Sequence, residues 1–538
     1  MSTVDSTIAE WLARYGAERV NVAHLLCDAH PADAEALVFD GPEGVQRLTY
    51  GELGDRSKRL AGALREAGVG EDDRVATMMP KSVELVIALL AIWRVGGVHV
   101  PLFTAFGPDA ASYRIAHSAT KLVITDAGNR EKIGDCAPVM CLADEGQQRQ
   151  GDLDFAAAVQ SGRSFDGVER SGDSLMFLLY TSGTTGQPKG VETPVRVLAA
   201  IHAYMHYGLD VRPEDVYWNM ADPGWAYGLW CAITGSLLLG KTLLMRGRPF
   251  TAEDVYEAIL EHGVSNLTGA PTVYRSLRAA GVPDGFRERS RLRAISSGGE
   301  PLNAELLTWS ERELGAKIHD HYGQSELAMV VTFAHHPELH REPVPGSMGF
   351  PLPGFKVAVL DENGQELPPG HGGELAIDVE SSPLFWFRGY YQDSERTAER
   401  FPYGPRYYLT ADTVQMGEDG LLRFASRADD VITSSGYRIG PFEVESALIA
   451  HEAVAEVAVI GTPDELRGEA VTAFVVTVPG AQDTPGLAEE LQQFVRAHLA
   501  KHLYPRHVCF VPELPRTPSG KIRRNVLREQ WDAQEAKA

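Results

Sequence analysis

Over roughly its first four hundred residues the chain alternates short apolar runs with longer amphipathic stretches, and that alternation limits the folds open to it. Tyr50 to Ala67 has the apolar spacing of an amphipathic helix, Arg74 to Met79 reads as a strand, and Ser82 to Arg94 reads as a buried helix. A strand at Leu122 to Thr125 follows a further helical stretch, and Leu175 to Tyr180 is a continuous apolar run bounded by Asp173 and Ser182-Gly183. Strand–helix–strand repetition predicts an α/β fold of mostly parallel sheets covered by helices.

Gly and Pro punctuation thickens from Pro343 to Gly373, which predicts turns between short strands of a small antiparallel or barrel-like β subdomain. After Arg427-Ala428-Asp429-Asp430 the texture changes again. A helix over Phe442 to His451, strands at Val454 to Ile460 and Ala470 to Val478, a helix over Leu487 to His498 and a strand at Val508 to Val511 are expected. These make a small α+β domain of about a hundred residues. At 538 residues the chain needs more than one core, and the predicted division is 1–428 and 429–538.

A net charge of −23 excludes a general nucleic-acid binder, which needs a basic face. The five cysteines (Cys27, Cys136, Cys141, Cys231, Cys509) form no CxxC pair, so neither a disulfide framework nor a structural zinc site is indicated. Met1 to Val20 lacks the apolar core of a signal peptide, and the run Leu85 to Trp93 stops at Arg94, too short for a membrane span. A cytoplasmic enzyme is expected.

The most informative segment is Tyr180-Thr181-Ser182-Gly183-Thr184-Thr185-Gly186-Gln187-Pro188-Lys189-Gly190. It follows a buried strand and concentrates hydroxyls, glycines and one lysine. Glycines let the backbone approach phosphate oxygens, hydroxyls and N–H groups donate, and Lys189 adds a point charge. It is not a Walker A motif, because Gln187-Pro188 separates Gly186 from the lysine and Gly190 follows it. The string resembles the signature of the adenylate-forming superfamily, which spans acyl-CoA synthetases, luciferases and peptide-synthetase adenylation domains. Further motifs follow in that family's order over nearly the whole chain.

That resemblance implies roles for particular residues. Ser297-Gly298-Gly299-Glu300-Pro301-Leu302 is similar to the adenine-side loop, with Gly299, Glu300 and Pro301 against the base. Within Asp320-His321-Tyr322-Gly323-Gln324-Ser325-Glu326, Tyr322 is implied to stack on adenine, Ser325 to touch phosphate and Glu326 to supply a carboxylate to Mg²⁺; Asp320, His321, Gly323 and Gln324 complete this nucleotide segment. One or two carboxylates plus substrate phosphates is how Mg²⁺ is usually held. Asp412 matches the aspartate that accepts from both ribose hydroxyls, although the family's Thr-Gly-Asp reads Thr410-Ala411-Asp412 here. Arg427 matches a second ribose contact, and Arg438 a catalytic phosphate contact alongside Lys189.

Joining a carboxylate to the α-phosphate brings two anions together, so charge neutralisation and positioning must supply most of the catalysis. Lys521, in Pro518-Ser519-Gly520-Lys521, matches the family's adenylation lysine, and Asp429 the hinge about which the small domain turns between two half-reactions. After rotation Ser435, Gly436 and Tyr437 would line the pantetheine tunnel of coenzyme A, with Arg467, Arg496, Tyr504 and Arg506 as further CoA candidates. Lys521 is also a candidate for a lysine acetyltransferase and deacetylase, since losing its charge removes its role.

The segment Asp429 to Glu445 looks most like the medium-chain acyl-CoA synthetase branch. Trp225, Tyr227, Gly228, Gly298 and Gly323 are the expected acyl pocket, and the acetate-restricted branch places a tryptophan where this chain has Gly323. A deeper pocket is therefore expected, for butyrate to octanoate or a small aromatic acid. The expected reaction is carboxylic acid, ATP and CoA to acyl-CoA, AMP and diphosphate. Loading of a carrier-protein thiol is the nearest alternative, with a luciferase-like monooxygenase and a catalytically dead sensor as further ones.

Overall fold

The computed structural model describes residues 3–144, 147–181, 187–427, 430–434, 437–464, 467–481, 483–499, 503–517 and 522–535, with backbone alone for residues 427, 433, 437, 438, 534 and 535. The alternation resolves into two parallel-rich sheets. The seven-stranded one runs, in spatial order, Leu153–Asp154, Val139–Leu142, Leu122–Asp126, Arg74–Met78, Val98–Pro101, Leu175–Thr181 and Lys189–Pro194. Only the last strand is antiparallel to its neighbour, with Thr181 opposite Lys189. The continuous apolar run at Leu175–Thr181 follows from its place beside this edge strand, covered on both faces.

The six-stranded sheet runs Tyr217–Asn219, Asn266–Gly269, Ala294–Gly298, Ile318–Gln324, Ala328–Thr332 and Phe350–Pro351. It is parallel through Ile318–Gln324 and antiparallel beyond it. Between strands, capping fixes the helices where the sequence places them. Thr49 and Glu52 close a reciprocal capping box on helix Tyr50–Glu66, and Ser82 Oγ accepts from Leu85 N–H at the start of Val83–Arg94. Arg94, which ends that apolar helix, is fully buried and donates twice to Asp28, at 2.8 and 2.7 Å.

The Gly/Pro-punctuated region builds an antiparallel four-stranded sheet, Val357–Leu360, Gly372–Asp378, Tyr407–Met416 and Leu422–Arg427. Beyond it a five-stranded sheet carries its own apolar core of Val444, Leu448, Val459, Val471 and Leu491. Its long hairpin departs from expectation: the first strand runs Val454–Asp464, past Ile460. Gly461 and Pro463 read as breakers, but they pair with Val471 and Glu469 toward the hairpin's end, where a missing N–H costs little. Among the described residues no helix is long and apolar enough to cross a membrane.

Candidate functional site

Strand Ile318–Gln324 divides the site, because alternate side chains leave opposite faces of a strand. On one face Tyr322 donates its hydroxyl to Asp412 Oδ2 at 2.5 Å, and Gln324 Nε2 donates to the same oxygen at 2.7 Å and to the Thr410 carbonyl at 2.8 Å. Asp412 lies on Tyr407–Met416, opposite Arg427 in register. Asp320 shares this face, and burial pushes its carboxyl up to about 7. Ala411 has φ +62°, the left-handed region, so the glycine usual at this position is a backbone requirement that alanine meets under strain. Gly299, at φ +96°, meets that requirement with glycine, while Glu300 is paired with Arg275 at 2.9 Å.

At the phosphate end, residues 182–186 of the hydroxyl-rich loop lie outside the described residues, and Thr181, Gln187, Pro188 and Lys189 flank them. Lys189 Nζ stands 4.5 Å from the centre of the Tyr390 ring, and the Tyr390 hydroxyl donates to Glu326 Oε1 at 2.8 Å. Burial, then the nearby Arg400, holds the Lys189 ammonium below the ordinary lysine range, with Glu326 opposing. Glu326 is buried, and its Oε2 takes no hydrogen bond among the described residues. A carboxylate with one oxygen uncommitted among the described residues, linked through Tyr390 to Lys189, fits a Mg²⁺ whose remaining ligands are phosphate and water. Ser325 is half-buried beside it.

Three residues here escaped the sequence reading: Tyr390, Arg396 and Arg400. Arg400 Nε donates to the Tyr390 hydroxyl at 3.0 Å, and Arg396 Nη1 to the Gln187 carbonyl at 3.2 Å. Two arginines four positions apart, just after paired tyrosines, were the available signal. An isolated Arg reads as a surface group until its partner is known.

The opposite face of Ile318–Gln324 meets the expected acyl pocket. The His321 ring leaves the face opposite Tyr322, contacting the Tyr204 hydroxyl at 2.8 Å and the Phe333 carbonyl at 3.1 Å. Strand alternation forces this, since Tyr322 takes the face of Asp412. Trp225 packs on Phe103 and Phe106, with ring centroids 5.2 and 5.9 Å away. Gly298 faces Met329 and Tyr227; a Cβ there would lie 3.1 Å from Met329 Cε and 3.5 Å from Tyr227 Cζ.

Two glycines of that set sit where a neighbouring backbone comes close. A Cβ on Gly323 would sit 2.1 Å from the Ala328 carbonyl oxygen and 2.7 Å from Met329 Sδ. The space a side chain would take is filled by the returning strand, where the ladder shifts register between Tyr322 and Gly323. Met329, not an open channel, stands there. Gly228 is buried, with a Cβ position only 2.3 Å from the Asp222 carbonyl oxygen, so it permits a close backbone approach.

A profile of the AMP-binding enzymes matches residues 26–391, and one of the AMP-binding enzyme C-terminal domain matches residues 443–521. The chain belongs to the AMP-binding enzyme family. This AMP-binding enzyme is 35% identical over 526 residues to the acetyl-coenzyme A synthetase of Bacillus subtilis (strain 168), covering 96% of this chain and 91% of that one. It is 34% identical to the mitochondrial acyl-coenzyme A synthetase ACSM3 of Rattus norvegicus, covering 91% of this chain and 86% of that one. The crystal structure of Brucella canis acyl-CoA synthetase superposes with a TM-score of 0.77 at 45% identity, covering 99% of this chain and 98% of that one. Its activity is that of an acid–thiol ligase, an AMP-forming acyl-CoA synthetase.

In this synthetase Lys521, Asp429, Ser435 and Gly436 lie outside the described residues, and Arg427, Tyr437 and Arg438 are placed by backbone alone, on strands Leu422–Arg427 and Tyr437–Ile439. Two of the remaining CoA candidates flank a third. The guanidinium groups of Arg506 and Arg496 stand 4.1 and 5.1 Å from the centre of the Tyr504 ring. Burial, then Arg467 and Arg496, lowers the pKa of Arg506. Arg467 is also tied to Asp464 at 3.1 Å.

Proposed function

We propose that the chain activates a short- or medium-chain fatty acid or a small aromatic acid with ATP and Mg²⁺, and passes the acyl group to CoA. The observation that carries this is a pair of side-chain clusters, one built on strand Ile318–Gln324 and the other at Glu326 just beyond its end. Asp412 is held by Tyr322 and Gln324 at the ribose end, and Lys189 and Glu326 are linked through Tyr390 at the phosphate end.

In the first half-reaction a carboxylate oxygen bonds to the α-phosphorus and the bond to diphosphate breaks. Lys189 and Arg400 stand where negative charge accumulates on the departing phosphates, so their attraction rises toward the transition state. Mg²⁺ held at Glu326 would supply further neutralisation of the triphosphate. Lys521, from the small domain, is read as the cation that meets the attacking carboxylate. In the second half-reaction the CoA sulfur bonds to the acyl carbon and AMP leaves with the electron pair of the broken C–O bond.

The small domain is read as 429–538, turning at Asp429 against 1–428. Its separate sheet and apolar core support this reading, and the cations around Tyr504 suit an anionic CoA phosphate. Acetylation of Lys521 in a cytoplasmic setting would silence the first half-reaction while sparing the second.

The test is diphosphate release across linear, branched and aromatic acids, with and without CoA. Release that needs ATP and an acid, with acyl-CoA formed only when CoA is present, is the expected result. Acetate preferred over all larger acids by about a hundredfold would overturn the assignment of the acid.

A further inference from the structure

One hydrogen-bond chain crosses from the core to the acyl side, and its polarity is fixed at the buried end. The Phe333 carbonyl can only accept, so His321 Nε2, at 3.1 Å, must carry the hydrogen. Burial pushes His321 down to about 3, so the ring is neutral and its Nδ1 is bare. The Tyr204 hydroxyl, 2.8 Å from that nitrogen, therefore donates to it. Tyr204 then has no hydrogen left for Tyr227, whose hydroxyl lies 2.7 Å away, so Tyr227 is the donor in that pair.

Tyr227 ends the chain with its single hydrogen committed inward. Its oxygen can offer an incoming group only lone pairs. Tyr204 and His321 are each 1% exposed, whereas Tyr227 is only partly buried and is the one member with surface to present. Its phenol end lies against Gly298, where an added Cβ would stand 3.5 Å from Tyr227 Cζ and 3.1 Å from Met329 Cε.

We propose that Tyr227 is a specificity-determining residue acting as a hydrogen-bond acceptor, so that the preferred acid carries a hydroxyl or amino donor on its acyl part. This rests on the acid-activating reading above and names the substrate class within it. An acid presenting only lone pairs there, such as a fluoro or methoxy analogue, sets oxygen against its own acceptor atom. Tyr227 cannot reverse its hydrogen without facing Tyr204 lone pair to lone pair.

The experiment measures kcat/KM for diphosphate release with matched acids: hydroxy- and aminobenzoates against fluoro- and methoxybenzoates of the same substitution, and ω-hydroxy against ω-fluoro acids from butanoate to octanoate. At least one matched pair is expected to favour the donor roughly tenfold or more. Tyr204→Phe removes the group that holds the Tyr227 hydrogen, freeing it to donate, and should bring that ratio to about one or reverse it. Tyr227→Phe should also erase the ratio. A merely structural Tyr204 would lower all acids together and leave the ratio alone. Matched pairs all within about twofold in the parent, or a ratio that survives both substitutions, would overturn the proposal. If no acid of any kind releases diphosphate, the acid-activating reading itself fails.

Discussion

The Tyr322 hydroxyl and the Asp412 carboxylate are joined across 2.5 Å, and Gln324 donates to the same Oδ2 at 2.7 Å. Residues 90 positions apart thus fix one carboxylate before any nucleotide arrives. Asp412→Asn removes the charge that both donors and the ribose hydroxyls address. Its kcat/KM for ATP should fall by about 1.5–3 kcal/mol, the worth of hydrogen bonds to a charged group. Tyr322→Phe keeps the ring face and loses one bond, for about 1 kcal/mol. Initial rates against ATP concentration read both, and an unchanged KM for ATP in Asp412→Asn would remove Asp412 from the nucleotide site.

Ala411 occupies the left-handed region at φ +62°, one residue before that aspartate. Ala411→Gly relieves a conformational cost of roughly 1–2 kcal/mol and gives back part of it as unfolded-chain entropy. The net expectation is a stabilisation of roughly 0.5–1 kcal/mol, read as a higher denaturant midpoint. A lower midpoint would show that the alanine methyl makes contacts worth more than the strain.

Arg400 acts on Glu326 through Tyr390: its Nε donates to the hydroxyl that in turn donates to the carboxylate, at 3.0 and 2.8 Å. Arg400→Ala should cost roughly tenfold to a hundredfold in kcat/KM for ATP, because a buried cation and a relay are lost together. Tyr390→Phe should cost less, about 1 kcal/mol. Full activity in Arg400→Ala would leave Lys189 as sufficient at this end.

Buried histidines set the pH response. Burial pushes His99, His202 and His321 down to about 3 and His319 to about 4, from an ordinary 6.5. Below 6.5 the unfolded chain takes up protons that the native state refuses, so this stability is complete above 6.5 and is lost as pH falls toward 4. Asp320, raised from 3.8 to about 7, acts oppositely: its share is complete below 3.8 and is lost as pH rises through 7. Burial lowers His30, His206 and His335 as well and raises Asp222 and Glu374 like Asp320; the histidines are the more numerous, so the urea midpoint should drop from pH 7 to pH 5, with a net uptake of protons on unfolding. An equal or higher midpoint at pH 5 would mean these rings are already charged in the native state.

Much of the architecture was legible because it is written locally. Apolar periodicity located the helices at Tyr50–Glu66 and Val83–Arg94 and the strand Leu175–Thr181, and glycine, hydroxyl and lysine content marked the phosphate loop. Motif spacing also singled out Asp412 and Glu326, which the fold joins to Tyr322 and, through Tyr390, to Lys189 respectively. Tyr390, Arg396 and Arg400 were illegible, since nothing in their own neighbourhood says which carboxylate or loop they will meet.

The order of residues determined the α/β alternation, the chemistry of the loop and the acid-activating class, because propensity, period and functional-group content act over a few positions. Tertiary structure alone decided that His321 faces Tyr204 across 117 positions while Tyr322 faces Asp412, and that Met329 and the Ala328 carbonyl fill the space beside Gly323. Sheet order and strand register set those contacts, and both are properties of how distant segments pack, not of any one segment.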